Sequence, residues 1–419
     1  MTKHNPIALT EGSLPEDRWR LLQLVRETAT RGGLPLYIVG GSVRDLVLGR
    51  RLNDFDLTVE GDALRLARAL ASKHGGRVTA HSKFGTAKWF LPQNLITDTQ
   101  TPNTLDLISA RSETYKHPAA LPTVKPGSIA DDLRRRDFTV NALAIRLDGS
   151  HFGELRDDLN GMADLQNGIL RVLHPRSFID DPTRPYRLVR YEARYAFRIA
   201  EATLALIPEA RPFVAKLSAQ RIRHELDLIL DESDAVSMLR RLAALDLLAA
   251  IHPVLADFNR SKFATLESDD ASLQNRDSRW VLWLMHLSDQ EIESLHERLH
   301  FTASLLKILR SASLLNANLT ALLGLKPSQV VEFLEGYSIK ALEVVSCAVQ
   351  DEKIRNILTR YHSEWWRVRP KTTGHDLKKR GIPPGPRYAE ILRRLRAAWL
   401  DGEVKTAEEE KVLLENLLK

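Results

Sequence analysis

The chain turns on Leu36-Tyr37-Ile38-Val39-Gly40-Gly41-Ser42-Val43-Arg44-Asp45 and, shortly after, Asn53-Asp54-Phe55-Asp56-Leu57. The apolar run reads as a strand that ends in two glycines. Glycine permits a sharp turn and a close approach of backbone to ligand. Ser42 is placed to cap the helix that follows, and a helix N-terminus attracts anions. Alternation along a strand puts Asp54 and Asp56 on one face, Phe55 and Leu57 on the other. Paired carboxylates repel unless a cation lies between them. Hard divalent cations such as Mg2+ take oxygen ligands and share them with substrate phosphates. A Gly-Gly turn or an Asp-x-Asp pair alone is commonplace; the two together point to metal-assisted nucleotidyl transfer.

Composition agrees with a large globular protein. At 419 residues the chain can bury a sizeable core and divides into two to four domains. Its content, 43% hydrophobic and 27% charged, is ordinary. No apolar run reaches the roughly 18 residues of a membrane helix, and the N-terminus lacks the apolar core of a signal peptide. Cys347 is the single cysteine, which rules out an intrachain disulfide and a cysteine zinc site. A cytoplasmic location is expected. The net charge of +6 and a pI near 9.3 favour a polyanionic partner.

Read outward, Glu16 to Arg31 has helical spacing and stops at Gly32-Gly33. After the Asp-x-Asp stretch come a helix over Ala63–Lys73 and strands over Arg77–His81, Ala87–Leu91 and Thr104–Ala110. The last holds Asp106, either a third acid near the metals or an edge-strand acid. Residues 111–131 carry three prolines and read as a long loop. Next stands Arg134-Arg135-Arg136-Asp137-Phe138-Thr139-Val140-Asn141. Its charges abut an apolar segment, so Arg136 and Asp137 are positioned to hold triphosphate and ribose hydroxyls.

In Asp180-Asp181-Pro182-Thr183-Arg184-Pro185-Tyr186-Arg187-Leu188-Val189-Arg190 a helix is expected to start, with Asp181 as its cap and Pro182 in first position. Asp181, Arg184, Arg187 and Arg190 then lie along one side. They are surface ion pairs, or a fixed carboxylate and guanidinium that read the hydrogen-bonding edge of a base. Ser218 to Leu226 forms a further helix, in which Arg221 and Glu225 are spaced to pair. From Ala235 to about Arg369 the pattern is a succession of amphipathic helices. The histidines there form no metal-ligand set, and Trp280, Trp283, Trp365 and Trp366 read as core. Near the C-terminus, Lys378, Lys379, Arg380 and Arg387 flank Ile382-Pro383-Pro384-Gly385-Pro386, a charged surface or a phosphate-contacting one.

The string Val39 to Gly49 with Asn53 to Thr58 resembles class II tRNA nucleotidyltransferases and bacterial poly(A) polymerases, within the superfamily that includes DNA polymerase beta. Arg135-Arg136-Asp137-Phe138-Thr139-x-Asn141-Ala142 and the Asp181/Arg184 pair resemble further motifs of that family. Asp180 departs from its Glu, and Pro185 from its aliphatic residue.

The resemblance implies an α+β fold, with a mixed-sheet nucleotidyltransferase head (1–158), then an all-helical neck (159–235), body (236–369) and tail (370–419). It implies Mg2+ on Asp54 and Asp56, with Asp106 as a third catalytic acid. Gly41, Arg44, Arg136 and Asp137 would hold triphosphate and sugar, and Asp181, Arg184, Arg187 and Arg190 the nucleotide. The 111–131 loop would help move specificity from CTP to ATP, and the tail would bind the tRNA elbow through Lys378, Lys379, Arg380 and Arg387. The expected activity is addition of the 3′-terminal CCA to tRNA from CTP and ATP, with no obligate protein partner. The alternatives are A-only or CC-only addition, poly(A) synthesis, or a catalytically silent RNA-binding protein.

Overall fold

The computed structural model describes residues 14–50, 52, 55–81, 85–96, 103–261, 263, 273 and 275–419. The chain falls into two compact units. The first comprises residues up to Glu225 together with Ala244–Ile251, and the second comprises Leu226–Ala243 and His252–Lys419. The fold is α+β, a mixed sheet in the N-terminal part followed by helices.

The first unit opens with helix α1 (Glu16–Arg31) and strand β1 (Leu36–Val39), every residue of which is buried. Helix α2 (Gly41–Val47) leads to β2 (Leu57–Val59), α3 (Ala63–His74), β3 (Arg77–His81), β4 (Thr86–Phe90) and β5 (Thr104–Ser109). The expected loop at 111–131 is instead mostly ordered: β6 (Arg111–Thr114) and β7 (Thr123–Pro126) pair as an antiparallel hairpin, and helix α4 (Ile129–Arg134) follows. The prolines sit in its turn and at the end of β7, where no ladder amide is lost. Then come β8 (Ala144–Arg146), β9 (Leu155–Arg156), α5 (Gly161–Gln166), β10 (Ile169–Leu170), α6 (Ser177–Asp180), α7 (Arg184–Tyr195) and β11 (Arg198–Ile199).

The main sheet has the order β3-β4-β5-β2-β1-β8-β9. Its one parallel pairing, β2 with β5, sets Leu57 opposite Leu107. Both are fully buried. β1 is an interior strand, paired with β2 on one side and β8 on the other, because its unbroken apolar run tolerates burial on both faces. The turn at its C-terminal end is therefore carried by a fully buried strand.

Helix α5 braces the segment after the arginine run. Its Gly161 lies against the short 3-10 turn Thr139–Asn141, and a Cβ there would fall 2.2 Å from the Thr139 carbonyl oxygen. Asp164 of the same helix accepts from the Thr139 hydroxyl at 2.7 Å and pairs with Arg171.

Helices α8 (Glu201–Leu204), α9 (Ile207–Val214) and α10 (Ala219–Leu230) follow. Then come α11 (Ala235–Ala244) and α12 (Leu247–Ile251). In the second unit α13 (Arg276–Leu284) carries Trp280 and Trp283, stacked at 5.2 Å and buried. Helices α14 (Asp289–Leu299), α15 (Ala303–Asn318), α16 (Pro327–Leu334), α17 (Ile339–Ala348) and α18 (Glu352–Ser363) continue it. The chain closes with α19 (Gly374–Lys379), α20 (Pro386–Leu400) and α21 (Ala407–Leu418). Leu377, Ile391, Leu395 and Leu414 form their core. Trp365 is buried as expected, but Trp366 is 44% exposed, contrary to its reading as core. No helix of the described residues is long and apolar enough to cross a membrane.

Gly161→Ala should overpack the Thr139 turn and cost about 1–3 kcal/mol. A urea titration would show the lower midpoint; an unchanged midpoint would mean that α5 does not bear on the turn.

Candidate active site

The glycine turn is built around an arginine. Gly40 has φ +67°, and a Cβ there would lie 2.0 Å from Nη1 of Arg136, so a side chain would evict the guanidinium. Gly40, not Ser42, is the cap position of α2. The Ser42 hydroxyl instead accepts the amide of Asp56 at 3.2 Å, which ties the turn to the acidic stretch. Arg44 is buried. It donates twice to Asp45, at 2.9 and 3.1 Å, and once to Asn141 at 2.5 Å.

Asp56 is exposed and lies just before β2 rather than within it. Asp54 lies outside the described residues. The β2–β5 register gives Asp56 and Asp106 equivalent positions, on the face opposite Leu57 and Leu107. Asp106, however, sits 3.3 Å from Lys88 across the neighbouring ladder.

The arginine run is held by carboxylates. Asp132 is completely buried and accepts from Arg135 at 2.9 and 2.8 Å and from Arg136 at 3.0 Å. Arg135 also reaches Glu113 on β6 at 3.2 Å. Burial alone would raise the Asp137 carboxyl, but Arg187 at 2.7 Å, with the Asn141 and Phe138 donors, holds it below the usual carboxylate range. Asp137 in turn raises the pKa of Arg187 further.

The expected cap of α7 is not where the sequence pattern put it. The helix starts at Arg184, Thr183 holds the cap position and Pro185 sits in the first turn, where it costs no intrahelical bond. Asp181 stays extended, so it does not share the helix face of the arginines. Its carboxylate accepts from the Thr183 amide at 3.0 Å, from the Thr183 hydroxyl at 2.7 Å and from Arg221 at 2.7 Å. Arg221 thus pairs with Asp181 rather than with Glu225, and it also donates to the Ala119 carbonyl in the hairpin turn at 2.9 Å. Arg184 is buried and donates to Ser177 at 2.6 Å and to the Arg135 carbonyl at 2.7 Å.

These side chains line one cavity of about 320 Å³. It gathers Gly41, Arg44, Asp56, Arg136, Asp137, Asp181, Arg184 and Arg187 from the sequence reading. It adds Glu113, Tyr115, Arg135, Asn141 and Tyr191, which that reading did not single out. Arg135 was within sight in the arginine run; the hairpin residues were hidden by reading the segment as a loop. Arg190 does not line it; its guanidinium lies 5.5 Å from the Tyr191 ring. Lys378, Lys379, Arg380 and Arg387 belong to the second unit, are exposed, and enter no ion pair among the described residues.

Burial pushes the Glu225 carboxyl up to about 7, against the pull of Arg187 and Arg190. An acid whose pKa is raised on folding binds its proton more tightly in the folded state. Stability should therefore fall as pH climbs from about 4.5 to about 7. Urea midpoints taken at about pH 5 and about pH 8 should show the drop, and Glu225→Gln should flatten it. An unaltered slope in that variant would contradict the assignment.

Comparison with known proteins gives a consistent set of likenesses. Residues 36–171 match the poly A polymerase head domain, and residues 196–259 match a probable RNA- and SrmB-binding site of polymerase A. An A-adding tRNA nucleotidyltransferase of Halalkalibacterium halodurans is 33% identical over 97% of this chain and 94% of its own length. One from Geobacter sulfurreducens is 34% identical over 96% of this chain, which spans 47% of that relative. The apo form II structure of a CCA-adding enzyme aligns over 99% of this chain and 98% of its own, with a TM-score of 0.83 and 29% identity. The Thermotoga maritima CCA-adding enzyme complexed with tRNA aligns over 99% and 98%, with a TM-score of 0.77 and 27% identity.

Proposed function

The chain belongs to the class II CCA-adding enzyme and poly(A) polymerase family, and from that premise we propose that it transfers nucleotidyl groups from nucleoside triphosphates to the 3′ end of tRNA. Addition of the terminal A is the step to which the proposal commits. The observation that carries it is the convergence, in one cavity beside Asp56, of an arginine cluster suited to a triphosphate with the Asp181 carboxylate and Arg184 guanidinium suited to a base edge. The choice of A rests on the A-adding relatives at 33% and 34% identity. Full CCA addition from CTP and ATP is the second reading, supported by the likeness to CCA-adding structures.

In this proposal Arg136 and Arg187, each aligned by a buried acid, hold the triphosphate. Gly41 lets the phosphates approach the backbone. Arg44 spends most of its donors on Asp45 and Asn141 and so fixes the turn. Asp137, locked by Asn141 and Arg187, keeps the arginines in register with the sugar. Asp181 and Arg184 present acceptors and donors to the base, and Arg190 supports them through Tyr191.

The donor set suits a hard cation, because Asp56 and its sequence neighbour Asp54 offer only carboxylate oxygens. Mg2+ is the proposed ion; when bound it neutralises phosphate charge and makes the attacking hydroxyl more acidic. Asp106, paired with Lys88, is left outside that set. The division into head, neck, body and tail at 158, 235 and 369, tRNA contact by Lys378, Lys379, Arg380 and Arg387, and a cytoplasmic setting complete the proposal.

The test uses one tRNA in three forms: lacking CCA, ending in C, and ending in CC. Each is incubated with magnesium and CTP, ATP or both, and its 3′ ends are sequenced. Extension of the CC-ending form alone, by one A, is expected. Completion of CCA from the bare form would select the second reading, and no extension of any form would overturn both. Asp56→Ala should abolish every incorporation while tRNA binding survives.

A further inference from the structure

We propose that Tyr115 forms the wall on which the base of the incoming nucleotide packs, face to ring, while Asp181 and Arg184 read its edge. This rests on the reading of the cavity as a nucleotide site. Tyr115 follows β6 at the start of the hairpin turn, is half-buried, and lines the cavity with Asp181 and Arg184.

One anchor holds it directly, and a second fixes the turn that follows. Its hydroxyl donates to Glu113 at 3.3 Å, and Glu113 is itself gripped by Arg111 at 3.0 Å and Arg135 at 3.2 Å. On the other side, the Ala119 carbonyl is held by Arg221, whose second nitrogen holds Asp181. The Tyr115 hydroxyl is thus tied to the head-side network, and the turn that follows the ring is tied to the acid proposed to read the base.

Its ring also differs from that of Tyr191, the other tyrosine of the cavity. Tyr191 is met by Phe138 and Tyr195, each at 5.8 Å, and by the guanidinium of Arg44 at 5.3 Å. Among the described residues, the aromatic and cation–π contacts that reach Tyr191 have no counterpart at Tyr115. A flat apolar face beside fixed polar groups is the arrangement that binds a base through stacking and reads it through hydrogen bonds. A purine covers more of such a face than a pyrimidine, so ATP should depend on it more than CTP.

Calorimetric titration of the full-length protein with ATP, CTP and inorganic triphosphate tests this. Tyr115→Ala should weaken ATP about tenfold or more, weaken CTP less, and leave triphosphate within about twofold. Tyr115→Phe, which keeps the ring and loses only the Glu113 bond, should stay within about threefold for ATP. Wild-type affinity for ATP in Tyr115→Ala would overturn the proposal, as would an equal loss of ATP and triphosphate. Absence of ATP binding by the unsubstituted protein would instead overturn the reading of the cavity on which the proposal stands.

Discussion

A carboxylate with no exposed surface, Asp132, is shared between Arg135 and Arg136, and the rest of the site is arranged around that fact. A buried charge is tolerated only when it is paired and hydrogen-bonded. Asp132 meets that condition by fixing two adjacent guanidinium groups. Arg136 then occupies the volume that a side chain at Gly40 would fill, so the glycine turn and the arginine run are complementary parts of one object. Arg135 passes the constraint outward, through its side chain to Glu113 on the hairpin and through its carbonyl to Arg184 on α7.

The same logic recurs at Asp137, which orients Arg187 and Asn141, and Asn141 closes the circuit to Arg44. Such a network sets several positive groups toward one cavity without letting them collapse onto the nearest exposed acid. Breaking one member leaves its partner charged and buried, which costs more than the bond itself. The arrangement is also wired to the hairpin, because Arg221 joins its turn to Asp181.

Much of this was legible in the sequence because it depends on local pattern. The unbroken apolar run of β1, the helical spacing of α1 and the Arg135–Asn141 string each signal their own structure. So does the pairing of acidic and basic residues around Asp181 and Arg184. What was not legible depends on contacts between distant segments. Asp181 reads as a helix cap by position, yet Thr183 takes that place because Asp181 is drawn to Arg221, forty residues on. Arg221 reads as a partner for Glu225 by spacing, yet burial leaves Glu225 to face Arg187 and Arg190. The prolines of 111–131 suggest a loop, yet they lie where a hairpin loses no hydrogen bond. Glu113, Tyr115 and Tyr191 carry no local signal, since only the fold brings them to the cavity.

Asp132, which does not line the cavity, controls how the cavity holds a triphosphate by aligning Arg135 and Arg136. The most direct measurement is the affinity for inorganic triphosphate of Asp132→Asn, a near-isosteric change, with folding checked by circular dichroism. Binding should weaken by about tenfold or more in a folded variant, the loss expected when charge-assisted bonds are misaligned. A folded Asp132→Asn that binds triphosphate as tightly as the unsubstituted protein would contradict it.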